Sequence, residues 1–213
     1  MLSEMLLIAL FGIALSFIGS LPFGIINMTV AETTVRKGFR AGVWVSIGAS
    51  LVEFVQVWIS LKLIDMFLQH SLLEQVFHVV ALVVFLVLAF FYMREALHEA
   101  KPREPRVSNL PQLPDFFRGA LVSSLNVMVF PYWIFYGTYL SSNGWMDLHN
   151  IDISIFSAGS MTGTVLVLLL YAGLGILLIK RAAALRRYFN WFLFALFLGL
   201  GVYQGWKVLL GVS

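Results

Sequence analysis

Glu53 is the deepest acid the sequence offers. It lies 13 residues after Arg40 and 9 before Lys62, among apolar neighbours. A helix rising 1.5 Å per residue sets it about 20 Å and 14 Å from those charges, near the middle of a bilayer. A charged side chain at that depth costs at least about 2.5–3.5 kcal/mol, and desolvation favours the protonated form. A carboxyl that loads and releases a proton, or pairs with a cation, suits coupled transport. A neutral acid that only bonds between helices is the competing reading. Gln56 follows at i+3 on the same helix face. A second group of residues could open the backbone itself: Pro22 and Gly24, inside Gly19-Ser20-Leu21-Pro22-Phe23-Gly24, followed by Asn27. Proline removes a donor and glycine permits unusual dihedrals, so freed backbone groups at membrane depth need a polar cavity or protein partners. Asn126 and Pro131 occupy a comparable place in the second half. Read as a pair, these are two broken helices whose ends face a substrate. Read singly, they are proline kinks with asparagines bonding neighbouring helices.

Other polar groups support less. Glu32 lies four residues before Arg36, the spacing of a surface ion pair, with a role in a cytoplasmic gate as the alternative. His70, His78, His98 and His149 show no metal-ligand spacing, and a chain without cysteine has no thiolate site. There is no H-E-x-x-H motif, no phosphate loop and no pair of deep carboxylates. No catalytic residue, metal or cofactor is therefore expected, and the chain does not read as an enzyme.

The elements that must position these residues are membrane spans. Of 213 residues, 60% are hydrophobic and 12% charged, about half the roughly 25% usual in soluble domains. Mean hydropathy is +0.90. Neither a polar surface nor a disordered chain fits this composition. Uncharged runs divide it into six spans, near 3–33, 41–63, 75–94, 116–140, 153–179 and 188–210. A cleaved signal peptide is not expected, since residue 4 is Glu and the first basic residue is Arg36. The net charge of +3 does not point to nucleic acid, because the basic residues sit between apolar runs. Twelve of the fourteen fall in alternate connections, leaving Lys62 and Lys207: Arg36, Lys37 and Arg40, then Arg94, Lys101, Arg103, Arg106 and Arg118, then Lys180, Arg181, Arg186 and Arg187. Basic loops face the cytoplasm, so both termini are expected outside.

The connection at 98–115 carries Pro102, Pro105, Pro111 and Pro114 and reads as an extended linker. It separates 1–97 from 116–213, three spans in each. An odd number per half requires related halves to be inverted, a recurrent transporter plan. Ser20-Leu21-Pro22 matches Ser124-Leu125-Asn126 at an offset of 104, and Gly48-Ala49-Ser50 matches Gly159-Ser160-Met161 at 111. The latter offset puts Thr164 opposite Glu53. Gly159-x-x-x-Gly163 and Gly201-x-x-x-Gly205 are expected to allow close helix packing, and Trp145, Trp191 and Trp206 to sit in interfacial belts. The expected fold is an all-α integral membrane protein of six transmembrane helices in two inverted three-helix repeats, the first and fourth helices broken.

With Pro22-Phe23-Gly24, the basic turn 36–42 and Gly48-x-x-x-x-Glu53 assembled, the chain resembles the LysE family of bacterial amino-acid exporters. The likeness continues at Phe117-Arg118-Gly119-Ala120, at Asn126 and through the aromatic run 130–136, so it covers essentially the whole chain. Members place a second proline where Gly24 stands, a proline where Val127 follows Asn126, and an aspartate where Glu53 stands. The resemblance implies a secondary exporter of the bacterial cytoplasmic membrane that moves amino acids or similar small metabolites outward. Protons would be the coupling ion, with Glu53 as carrier. Pro22, Gly24, Asn27, Gln56, Asn126 and Pro131 would form the remainder of a midplane site. A cation or metal-ion exporter and a non-transport scaffold are the alternatives, and a homodimer is left open.

Overall fold

A computed structural model describes residues 2–21, 24–68, 71–97 and 113–210. Among them are eight helices and no strand: α1 (Leu2–Ser20), α2 (Ile25–Lys37), α3 (Phe39–Leu68), α4 (Ser71–Leu97), α5 (Asp115–Ser124), α6 (Val129–Ser142), α7 (Asn150–Gly173) and α8 (Gly175–Leu210). Helix is the only open structure that satisfies every backbone group within lipid, and these apolar sequences adopt it throughout. Three described helices are long and apolar enough to cross a bilayer: α1, α3 over Phe39–Met66, and α7. The pair α5 and α6, bent by 67° at its break, makes a fourth. Most of the linker expected at 98–115, together with Pro22, lies outside the described residues.

The helices pack in a regular pattern. α1 lies along α7, α3 along α5 and α4 along α8, with α3 and α7 touching at the centre. Glycines set the first two seams. A Cβ on Gly12 would strike the carbonyl oxygen of Phe156, and one on Gly159 that of Ala9. The α3–α5 seam repeats this arrangement, with Gly48 against the Phe116 carbonyl and Gly119 against the Val45 carbonyl. Backbone meets backbone at all four points, which only a residue without a side chain allows. Gly163 approaches the Ile13 carbonyl in the same way, so the expectation for 159–163 holds. Gly201 and Gly205 differ: the nearest atoms to a Cβ there are side-chain carbons of Leu86 and Leu82, at 3.0 and 3.6 Å. These two glycines accommodate leucines of α4 rather than a neighbouring backbone.

The interior is divided. Ile8, Leu61, Ile64, Trp133, Leu140, Ile153 and Phe156 form an apolar core, reaching the ends of α3 and α6 and the starts of α1 and α7. Val30, Ala31, Val45, Ala49, Val167, Leu168 and Tyr171 form a second core toward the basic end, where α2 gives way to α3. Outward-facing large apolar residues such as Val83, Phe90, Leu166, Phe192 and Val202 are exposed, as a lipid-facing surface requires.

Two expectations about boundaries are corrected. The basic segment 180–187 was expected to separate a span ending at 179 from one starting at 188. Instead α7 ends at Gly173, and α8 runs unbroken through the basic residues to Leu210. At 1.5 Å per residue such a helix is about 54 Å long, so it extends well beyond a hydrocarbon core of about 30 Å. Charge marks where a helix leaves lipid, not where it ends. Pro131, expected within the second break, lies in the first turn of α6. Proline is tolerated in a first turn because the amide it lacks would have no intrahelical partner there.

Candidate functional site

Glu53 is residue 15 of the 30 in α3, the midpoint of the helix, and is 7% exposed. Its expected interior position at mid-helix is what the fold provides. The Ser16 hydroxyl of α1 donates to Glu53 Oε1 at 3.2 Å and shares a 2.6 Å hydrogen bond with Thr164 Oγ1 of α7. With Ser16 as donor to the acid, Thr164 donates to Ser16, giving a short relay across three helices. Ser160 stands beside the same carboxyl. Its buried hydroxyl has no partner at hydrogen-bonding geometry. Thr164, the residue set opposite Glu53 by the 111 offset, is thus one hydroxyl away from it.

This group is distinct from the helix's other serines. Ser46, Ser50, Ser60 and Ser157 each donate to the carbonyl four residues earlier, at 2.7–2.9 Å. Such bonds satisfy a hydroxyl locally and carry nothing between helices. Among the described residues, Ser16 alone of the buried serines joins α1, α3 and α7. Nothing in the sequence separated it from the others, because spacing does not report which way a hydroxyl turns. Gln56 is buried too, but turns to α5, donating to the Ser123 carbonyl at 3.2 Å and leaving its Oε1 unpaired. Glu53 and Gln56 share a helix face without sharing a partner.

The breaks lie on either side of this level. The first opens after Ser20, on the basic side of Ser16; the second, at 125–128, follows Ser123, which Gln56 meets one turn further from the basic end. Both breaks occur where expected. Among the described residues no hydrogen bond joins them directly. Tyr132, one turn into α6, reaches α1: its hydroxyl donates to the Leu15 carbonyl at 2.7 Å, and its ring fills the space beside Gly19. Tyr136 packs on Tyr132, with ring centroids 4.7 Å apart. Tyr132 was expected only as part of an aromatic run, since nothing in its spacing distinguishes it from Tyr136.

Asn27 and Gly24 have local roles in this conformation. Asn27 Nδ2 donates to the Ser20 carbonyl at 2.7 Å, and the Tyr171 hydroxyl to the Leu21 carbonyl at 2.8 Å. These bonds satisfy carbonyls that the end of α1 releases. Gly24 precedes α2 with φ −86° and ψ 172°, extended backbone that any residue adopts. Asn126 is half-buried within the second break; its backbone N–H donates to the Ser123 carbonyl at 3.0 Å, and among the described residues no hydrogen bond ties its side chain to Glu53. Asn27→Leu should lower the stability of the purified protein by about 0.5–1.5 kcal/mol, the net worth of a hydrogen bond to a half-buried carbonyl. A thermal midpoint unchanged by that substitution would show that water already reaches Ser20.

A second polar group lies toward the basic end. Glu32 pairs with Arg36 at 2.8 Å as its spacing suggested, but its side chain is 8% exposed, so the expected surface pair is buried on the acid's side. Glu32 Oε2, Thr33 Oγ1 and Arg118 Nε are buried without partners. Lys37 bonds Asp115 at 2.7 Å, joining α2 to α5. Among the described residues no group of three His, Asp or Glu side chains could hold a metal.

No curated protein and no solved structure matches the chain. The family model of the LysE type translocator matches residues 17–206, which takes in Glu53, Ser160 and Thr164, both breaks, and the seam glycines Gly48, Gly119 and Gly159, but not Ser16 or Gly12. An integral membrane chain with a buried acid between its packed helices, matched over most of its length, belongs to the LysE type translocator family.

Proposed function

We propose that the protein is a proton-coupled secondary exporter of amino acids or related small metabolites, working by alternating access. One observation carries this reading: Glu53, at the midpoint of α3, is held by hydroxyls from α1 and α7 rather than by a basic partner. An acid placed to structure helices is served as well by a buried cation. One held only by hydroxyls can exchange a proton without breaking an ion pair. Such a site lies where helices of the two halves of the chain meet, and that is the place alternating access exposes to each side in turn.

The six-span inverted repeat is part of this proposal. Its support is the matched pair of seams. Gly12 and Gly119, and Ala9 and Phe116, are each 107 apart, while Gly48 and Gly159, and Val45 and Phe156, are each 111 apart. A two-fold axis in the membrane plane relates α1 against α7 to α5 against α3, and carries α4 and α8 into each other. The breaks follow the 104 offset instead, so the second comes about one turn earlier relative to its seam. Pro22 and Gly24 at the first break, and Asn126 and Pro131 at the second, are proposed to admit substrate when the halves rock and these segments rearrange. Two further elements, α4 and α8, would complete the count of six, with α2 continuing α1 beyond its break.

The proposed location is the bacterial cytoplasmic membrane with both termini outside. Cysteines introduced at Ser108 and Ser141 should label from opposite faces, the first only from the cytoplasm. Labelling of Ser108→Cys by an impermeant reagent in intact cells overturns the orientation. The exporter reading itself is tested by efflux from proteoliposomes loaded with each amino acid in turn. Gradient-driven release of at least one, absent from protein-free vesicles, is the expected result; release of none, with a folded protein, sinks it. Release of divalent cations instead would favour the ion-exporter alternative, and a protein that releases nothing reads as a scaffold.

A further inference from the structure

The Lys37–Asp115 bond is the top layer of a stack. Thr33 lies four residues before Lys37 and Arg118 three after Asp115, so both sit one turn deeper on the faces that carry the ion pair. Glu32 lies beside them, within electrostatic range of Arg118 but bonded only to Arg36. That deeper layer holds one unpaired carboxylate oxygen, one unpaired hydroxyl and one unpaired guanidinium N–H, all buried. A donor and an acceptor of opposite charge left facing a packed seam are poorly satisfied while the seam is shut, and gain partners when it fills with water or solute. The other end of the molecule contrasts with this. There Leu61, Ile64, Trp133, Leu140, Ile153 and Phe156 close a core that is apolar but for the Trp133 indole N–H, with the Thr138 hydroxyl and the Lys62–Asp65 pair on the same helices. The two ends are sealed by different chemistry, a mainly apolar core at one and a buried layer of opposite charges at the other.

Resting on the exporter reading above, we propose that the seam between α2 and α5 is the cytoplasmic mouth of the path. Lys37 and Asp115 are its latch, and beneath them Glu32 and Arg118 receive the ammonium and carboxylate of a small zwitterion. Glu32 offers Oε2 to the cationic end, and Arg118 offers Nε–H to the anionic end. A solute carrying one charge satisfies half of this layer, and one carrying both satisfies all of it. Each half of the chain supplies one wall, since α2 precedes the linker and α5 follows it. Separation of the halves at this end therefore opens the mouth, and the route onward follows α5 toward Ser123 and the Glu53 group.

The natural absence of cysteine makes the mouth directly measurable. In inverted membrane vesicles, Thr33→Cys should react slowly with an impermeant thiol reagent. Adding Asp115→Lys, which sets like charges at the latch, should speed the reaction by about tenfold, and adding Lys37→Asp as well should restore the slow rate. A mixture of the amino acids other than cysteine should slow labelling in the Asp115→Lys background, and Glu32→Gln should remove that protection. Should Thr33→Cys fail to fold, the paired variant Lys37→Cys/Asp115→Cys serves: a short, reducible bis-thiosulfonate bridge across it should stop efflux until a reductant is added. Labelling indifferent to the charges at 37 and 115, or efflux that continues through the bridge, places the mouth elsewhere, even if the wild type exports amino acids. If the latch behaves as described but no amino acid protects or is exported, the zwitterion and the amino-acid reading both fall, and the latch stands.

Discussion

Glu53→Gln should abolish concentrative efflux while leaving the protein inserted and folded. If each turnover is coupled to one proton, an imposed potential of about 100 mV supplies about 2.3 kcal/mol, or about fifty-fold in the steady-state concentration ratio of the substrate. The glutamine variant should bring that ratio to about one. Exchange of labelled for unlabelled substrate, which needs no net proton movement, should survive. The amide keeps the shape of the acid, and its oxygen can accept the Ser16 hydroxyl that now lies 3.2 Å from Oε1. Glu53→Asp should retain part of the activity, because it keeps a titratable group but withdraws it from Ser16 by about one methylene. Ser16→Ala should weaken coupling less than either, since Thr164 and Ser160 also flank the carboxyl. A glutamine variant that still accumulates substrate against its gradient, with unchanged response to pH, would return Glu53 to helix packing.

The second large effect concerns the seams. Gly12→Ala and Gly119→Ala should each destabilise the protein by about 1–3 kcal/mol, because each new methyl meets a backbone oxygen that cannot move without displacing a helix. Gly12 faces Phe156 and Gly119 faces Val45, so the two lie on separate seams and their effects should add. For a chain of this length each kcal/mol corresponds to about 2–4 °C in thermal midpoint. Gly199→Ala is the control: a Cβ there meets nothing within 4 Å, and the change should leave stability unaltered or slightly raised. Valine in place of Gly12 or Gly119 should prevent assembly altogether. Equal tolerance of alanine at Gly12 and at Gly199 would show that α1 and α7 are not in the register described, and with it would go the argument for matched seams.

What could be read before folding was whatever depends on the solvent. Lipid permits helices and forbids open strands, so the run of apolar residues alone determined an all-helical membrane chain. The cost of a charge at depth singled out Glu53, proline and glycine within an apolar run marked the first break, and Asn126 marked the second, with Pro131 falling just beyond it. These are one-dimensional signals, each carried by a residue's type and its distance from the nearest charge. Helix boundaries were less legible where charge and helix part company, as at 180–187, because a helix leaving lipid needs no break. The packing decided the rest. Which hydroxyl turns to Glu53, that Tyr132 rather than Tyr136 reaches back to Leu15, that Gly201 meets a leucine while Gly159 meets a backbone, and that Glu32 is buried beside α5 all depend on how helices far apart in sequence are set against each other. Side chains of identical type and spacing diverge there because a contact is made with a partner, and the sequence of one helix does not name its neighbour.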